Sequence, residues 1–141
     1  MVQEDSSQRS PIAVVVGLLL RNGSVLMCQR RETKIYPLHW EFPGGKVEPN
    51  ESNLDALHRE LREELAIEAQ DGEPWFEELA TYSNGFTYAI TYYLVRNFAG
   101  EPENLEFNDL KWVDSNTLDT LLHLSGNARI LLKLKEEGIP E

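Results

Sequence analysis

Apolar residues run from Ile12 to Leu20, broken only by Gly17. A run this short and this rich in β-branched residues predicts a strand buried on both faces. Arg21-Asn22-Gly23-Ser24 follows, and Asn-Gly between apolar runs is a strong hairpin signal. Val25–Gln29 is then the returning strand. Arg30 to His39 is polar, contains Pro37 and reads as a connection. Trp40-Glu41-Phe42 leads into Pro43-Gly44-Gly45, a predicted sharp turn. The pattern changes period between Ser52 and Leu65. Leu54, Leu57, Leu61 and Leu65 recur at three- and four-residue steps, as on one stripe of an amphipathic helix. Asn50 or Ser52 is placed to cap it, with Glu51 and Asp55 at the positive end of its dipole.

Beyond the helix, Asp71-Gly72-Glu73-Pro74 predicts a loop. Glu77–Tyr82 and Phe86–Val95 predict two strands joined at Ser83-Asn84-Gly85. Glu101 to Asp109 reads as a loop and Lys111–Val113 as a short strand. Two helices are expected at the end, Ser115–Leu122 and Asn127–Glu137, the second stopped by Gly138 and Pro140. Interleaved strands and helices point to a mixed α/β or α+β sheet with helices packed on it. Met1 to Ser10 is polar and aperiodic. A loose tail over 1–10 and one domain over 11–141 are the expected organisation.

Composition narrows this picture. The chain has 141 residues, 41% hydrophobic and 26% charged, ordinary for a globular domain. A single cysteine, Cys28, rules out an internal disulfide framework and reads as a small buried hydrophobe. The longest apolar run falls well short of the roughly 20 residues that span a bilayer. No positive segment precedes it, so no secretory signal is expected, and a cytoplasmic location is the default. The net charge is −11, which disfavours duplex nucleic acid but not a small phosphate-bearing ligand bridged by divalent cations.

Chemistry concentrates in Arg59-Glu60-Leu61-Arg62-Glu63-Glu64. On a helix Glu60, Glu63 and Glu64 fall at i, i+3 and i+4 and share one face. That face is centred roughly 110° from the leucine stripe. The helix can dock by its leucines and hold three carboxylates at the edge of the interface. Their mutual repulsion weakens the helix, and a hard cation such as Mg2+ or Mn2+ relieves it. A solvated acidic face, paired with Arg59 and Arg62, is the alternative. His39, His58 and His123 lack metal-type spacing, and Trp75-Phe76 is placed to cover an edge of the core.

Upstream context decides between these readings. Gly45, five residues, Glu51, seven residues, Arg59-Glu60-Leu61, one residue, Glu63-Glu64, one residue, Ala66-Ile67 resembles the Nudix box, G-x5-E-x7-R-E-U-x-E-E-x-G-U, where U is a bulky aliphatic. Ala66 stands where the family has Gly. If a left-handed turn is kept there, the cost is about 1 kcal/mol. The resemblance implies an α/β/α sandwich around a mixed sheet. It implies hydrolysis of a nucleoside diphosphate linked to another group, helped by divalent metal. Glu60, Glu63 and Glu64 would be metal ligands, with the Gly45 backbone beside them. Arg59 would orient a box glutamate, and Glu51 would support the loop or the metal site. Gly44 and Gly45 let backbone approach closely. Metals, carboxylates and a few cations suffice for such a cut, since it needs mostly positioning and charge stabilisation.

Trp40-Glu41-Phe42-Pro43-Gly44-Gly45-Lys46-Val47-Glu48 is similar to the lead-in of MutT-like members. That branch implies cleavage between the α and β phosphates of oxidised nucleoside triphosphates such as 8-oxo-dGTP, releasing monophosphate and pyrophosphate. By the same resemblance Arg30, Phe42, Lys46 and Asn127 fall at nucleotide-binding positions. A carboxamide at Asn127 offers both a donor and an acceptor to a purine edge; the residue is equally placed to cap the last helix. Glu106 is either a further metal ligand or base, or a solvated loop carboxylate. Hydrolysis of CTP or an oxidised pyrimidine nucleotide is a second reading. A catalytically silent, nucleotide-binding Nudix domain is a third, weakened by the full glutamate set. No membrane partner is implied, and the state is expected to be monomer or homodimer.

Overall fold

The computed structural model describes residues 10–141. Apart from Ser10, the expected tail lies outside the described residues. The strands are β1 (Ile12–Arg21), β2 (Ser24–Gln29), β3 (Trp40–Glu41), β4 (Gly44–Lys46), β5 (Glu68–Ala69), β6 (Glu73–Thr81), β7 (Thr87–Val95), β8 (Phe98–Ala99) and β9 (Asp109–Val113). The helices are α1 (Asn53–Leu65) and α2 (Ala128–Glu137). The main sheet runs β3-β2-β1-β7-β6, with β4 added to β1 and β9 to β2. β1 and β7 are parallel; the other pairs are antiparallel, so the sheet is mixed.

Alternation along β1 divides the core. Val15 and Leu19 face α1 and pack with Ala56, Leu57, Leu61 and Leu65. Leu18 and Leu20 face α2 and pack with Ile130, Leu131 and Leu134. A sheet between two helices is the expected three-layer sandwich, and β1 is buried on both faces over its second half, Gly17 to Leu20. Each leucine that α1 buries contributes roughly 1.5–3 kcal/mol. Repulsion among three like charges on the same helix costs only a few tenths per pair, so packing wins.

β1 pairs with β2 only near their hairpin, Leu20 opposite Val25. Further back the two strands part, and β4 pairs with β1 instead, with Val15 opposite Gly45 and Val16 opposite Gly44. The expected sharp turn at Pro43-Gly44-Gly45 is therefore a strand. It must be glycine: a Cβ on Gly44 would lie 2.1 Å from the Val15 carbonyl oxygen.

Three other expectations differ from the structure, and one small strand pair had no signal. No helix forms over Ser115–Leu122, where only a 3₁₀ turn at Leu118–Thr120 appears. The Asp114 carboxylate accepts from the amides of Asn116 (3.0 Å) and Thr117 (3.1 Å), satisfying the backbone locally in place of a helix. β6 begins at Glu73, not Glu77, because Pro74 is tolerated on this edge strand beside an irregularity between Pro74 and Phe76. Leu54 is exposed, and Ala56 takes its place on the buried face. The paired strands β5 and β8 were not anticipated, being two residues each.

Candidate active site

Ser52 caps α1, its hydroxyl accepting from the Asp55 amide at 3.1 Å. Ala66 ends the helix in the left-handed conformation, φ 57°, with its N–H donating to the Arg62 carbonyl at 3.0 Å. The turn geometry is thus kept, with Ala bearing the Cβ strain that Gly would not. The last carbonyls of α1 are taken by the incoming loop: Glu103 donates its amide to Leu65 (2.8 Å) and Leu105 to Glu64 (3.2 Å). Phe107 then buries itself against the α1 side of the core. These anchors bring Glu106 to the same cleft as Glu60, Glu63 and Glu64.

That cleft, about 400 Å³, is also lined by Arg30, Arg31, Lys34, Glu41 and Gly44. Glu60 lies against Gly45, where a Cβ would sit 2.4 Å from its Oε1. Glu64 accepts from the Gly44 amide at 3.1 Å. Burial, with the charges of Glu60, Glu41 and Glu106 adding to it, pushes the Glu64 carboxyl up to about 9. Burial also raises Glu60, partly offset by Arg59. Arg59 is the hub, donating to Glu51 (2.8 Å), Glu60 (3.0 Å), Glu63 (3.2 Å) and the Lys46 carbonyl (3.1 Å). Glu51 in turn accepts from the Glu48 amide at 3.0 Å, bracing the loop before α1. Among the described residues, no three His, Cys, Asp or Glu side chains already converge as ligands on one point. Glu60 and Glu63 are turned toward Arg59.

A second cleft, about 490 Å³, opens on the other side of Gly44. Its lining is mainly apolar and aromatic, with Val16, Phe42, Ile90, Tyr82 and Tyr92, and Asn127 at one wall. The chain after β9 is stitched to β3: Trp40 donates its amide to Leu122 (2.7 Å), and Leu124 donates to the Trp40 carbonyl (3.2 Å). Asn127 makes no side-chain cap. Its Nδ2 instead donates to the Trp40 carbonyl at 3.3 Å, which turns the carboxamide from the helix toward this wall. Asn127 therefore does not cap α2 with its side chain. Arg30, Glu41 and Gly44 line both clefts. Arg30 and Glu41 pair at 3.2 Å, and burial raises the Glu41 carboxyl against the pull of Arg30.

Lys46 is exposed at the end of β4 and lines neither cleft. His39, His58 and His123 each face a backbone carbonyl. Cys28 is fully buried, and that burial pushes its thiol well up. Trp75 and Phe76 pack at the edge of the α2-side core. Glu41, Arg31, Lys34, Tyr36, Tyr82 and Tyr92 were not among the expected site residues. Only Glu41 had a signal, its place beside Phe42; the others depend on how loops fold back.

The NUDIX domain family model matches residues 10–134, and the chain belongs to this family. It is a Nudix hydrolase. The 8-oxo-dGTP diphosphatase of Haemophilus influenzae is 32% identical over 127 residues, 89% of this chain and 93% of that one. The CTP pyrophosphohydrolase of Escherichia coli K12 is 53% identical over 62 residues, 44% of this chain and 46% of that one. The solution structure of the E. coli ORF135 protein superposes with a TM-score of 0.81 at 30% identity, covering 96% of this chain and 98% of that one. Among the described residues no helix is long and apolar enough to cross a membrane.

Proposed function

We propose that this protein hydrolyses a nucleoside triphosphate between the α and β phosphates, with Mg2+, releasing the monophosphate and pyrophosphate. The observation that carries this reading is the meeting of two unlike clefts at Gly44, one apolar and one lined by carboxylates. A base fits the first, and a phosphate chain with its cations fits the second. The donor set suits a hard divalent ion. Glu60, Glu63, Glu64 and Glu106 are all oxygen donors, and the neighbouring desolvated carboxyls of Glu60 and Glu64 call for a positive charge. These four side chains, with the Gly45 backbone, would hold it. A divalent ion held there would supply charge neutralisation for the phosphates and a more acidic water.

The chain's own residues do the rest. Arg59 positions Glu60 and Glu63, and the Gly44 amide positions Glu64. A cleft carboxylate, Glu106 among the candidates, takes the proton of the attacking water. Phe42 gives the base an apolar wall, and Arg30 stands where the clefts meet. Asn127 presents a carboxamide to the base edge, which suits an oxidised purine of the 8-oxo-dGTP type. The diphosphatase of H. influenzae carries that substrate in its name. The higher identity to the E. coli CTP pyrophosphohydrolase favours a second reading, hydrolysis of CTP or an oxidised pyrimidine nucleotide.

A panel of normal and oxidised nucleotides, assayed for pyrophosphate, separates these readings. Preference for the oxidised purine, lost in Asn127→Ala, supports the first. Preference for cytidine nucleotides, indifferent to Asn127→Ala, supports the second.

A further inference from the structure

The loop between β2 and β3 places three cations, Arg30, Arg31 and Lys34, on the cleft that holds the carboxylates. They are not equivalent. The Arg30 guanidinium is committed to Glu41 and to the Ile35 carbonyl at 2.7 Å. Arg31 reaches the Leu105 carbonyl at 3.3 Å, tying this loop to the segment that carries Glu106. Lys34 makes no side-chain hydrogen bond or ion pair with the described residues, although Glu41 feels its charge. Nor does Lys34 sit on a free-swinging segment. The Lys34 amide donates to the Arg31 carbonyl (3.1 Å), the Leu38 amide to the Arg30 carbonyl (3.1 Å), and the Arg30 side chain pins Ile35.

An unpartnered ammonium on a braced turn, facing a cleft otherwise rich in carboxylates, is matched to an anion that arrives with the substrate. Arg31 and Lys34 line only the carboxylate cleft, whereas Arg30, Glu41 and Gly44 line both. A nucleotide with its base in the apolar cleft sends its phosphates past Gly44 toward that wall. The outermost phosphate carries the most charge, and an ammonium binds it as a point charge. We propose that Lys34, with Arg31 beside it, binds the terminal phosphate, so that this chain selects nucleoside triphosphates over diphosphates. The assignment rests on the nucleoside triphosphate reading above and adds to it the side chain that recognises the third phosphate.

The test uses the full chain, with calorimetry in Mg2+ on two probes that resist cleavage: a guanosine triphosphate with a methylene bridge between its α and β phosphorus atoms, and the corresponding diphosphate. Lys34→Ala is expected to weaken triphosphate binding about tenfold, to leave diphosphate binding unchanged, and to be rescued by Lys34→Arg. In turnover the same variant raises KM for the triphosphate with kcat nearly unchanged. Equal weakening of both probes, or none, overturns the proposal. A wild-type protein that binds the triphosphate probe but releases no pyrophosphate from natural triphosphates defeats the proposed activity instead, while the binding ratio still decides the role of Lys34.

Discussion

Arg59 shows how much one side chain can hold together. Its guanidinium meets Glu51, Glu60 and Glu63 and lies 3.7 Å from Glu48, so it joins the loop before α1 to the carboxylates on it. Bidentate contact with Glu51 holds that carboxyl below its ordinary value of 4.5. A carboxyl depressed in the folded state adds stability above its unfolded value, and loses it as pH falls through the folded one. Wild type is therefore expected to melt higher than Glu51→Gln at pH 7, with the gap closing as pH drops below 4.5. Thermal melts across that range check it; a gap independent of pH contradicts the pairing. The α1 glutamates were legible as one face of a helix, but that face alone also suits a solvated surface; the longer spacing from Gly45 to Ile67, through its resemblance to the Nudix box, was what attached chemistry to them. Glu41 and Lys34 were not legible, since a residue's membership of a cleft depends on loops that no local pattern describes.

At the scale of elements, helix ends and strand pairing behave differently. The Ser52 cap, the Asn22-Gly23 hairpin and the body of α1 followed from local signals, because each is satisfied by neighbours in the chain. The failed helix at Ser115 and the strand at Gly44–Lys46 answer to other forces, an Asp114 turn in one case and the open edge of β1 in the other. Asn127 illustrates the same limit: its sequence context suits a cap, but β3 offers the Trp40 carbonyl. Ala66 gives a direct energetic check. Its φ of 57° is costly for any residue with a Cβ. Ala66→Gly is expected to stabilise the protein by about 1 kcal/mol, read as a higher urea midpoint with unchanged slope. A lower midpoint would mean that the turn is not strained.

Across the whole molecule, the fold serves one arrangement. Both helices are anchored by leucines, and the sheet between them brings β4, α1 and the Glu106 loop to one cleft. The carboxylates there oppose one another, so under the proposed function a divalent ion is expected to stabilise the fold as well as the reaction. Mg2+ at about a hundred times its Kd is expected to add about 2.7 kcal/mol, a rise of several degrees in Tm. In Glu64→Gln that rise should disappear, while the metal-free variant melts no lower than wild type, because a neutral side chain replaces a buried carboxyl. Scanning calorimetry with and without Mg2+ reads both effects; an undiminished rise in the variant would remove Glu64 from the ligand set.

The most direct measurement is product analysis by phosphorus NMR on a nucleoside triphosphate in Mg2+, wild type against Glu63→Gln. Glu63 stands at the exposed lip of the cleft, so its replacement leaves the core untouched. Monophosphate and pyrophosphate from the wild type, with turnover falling by roughly two to three orders of magnitude in a variant that melts normally, is the predicted result. Full activity in Glu63→Gln, or orthophosphate in place of pyrophosphate, would contradict it.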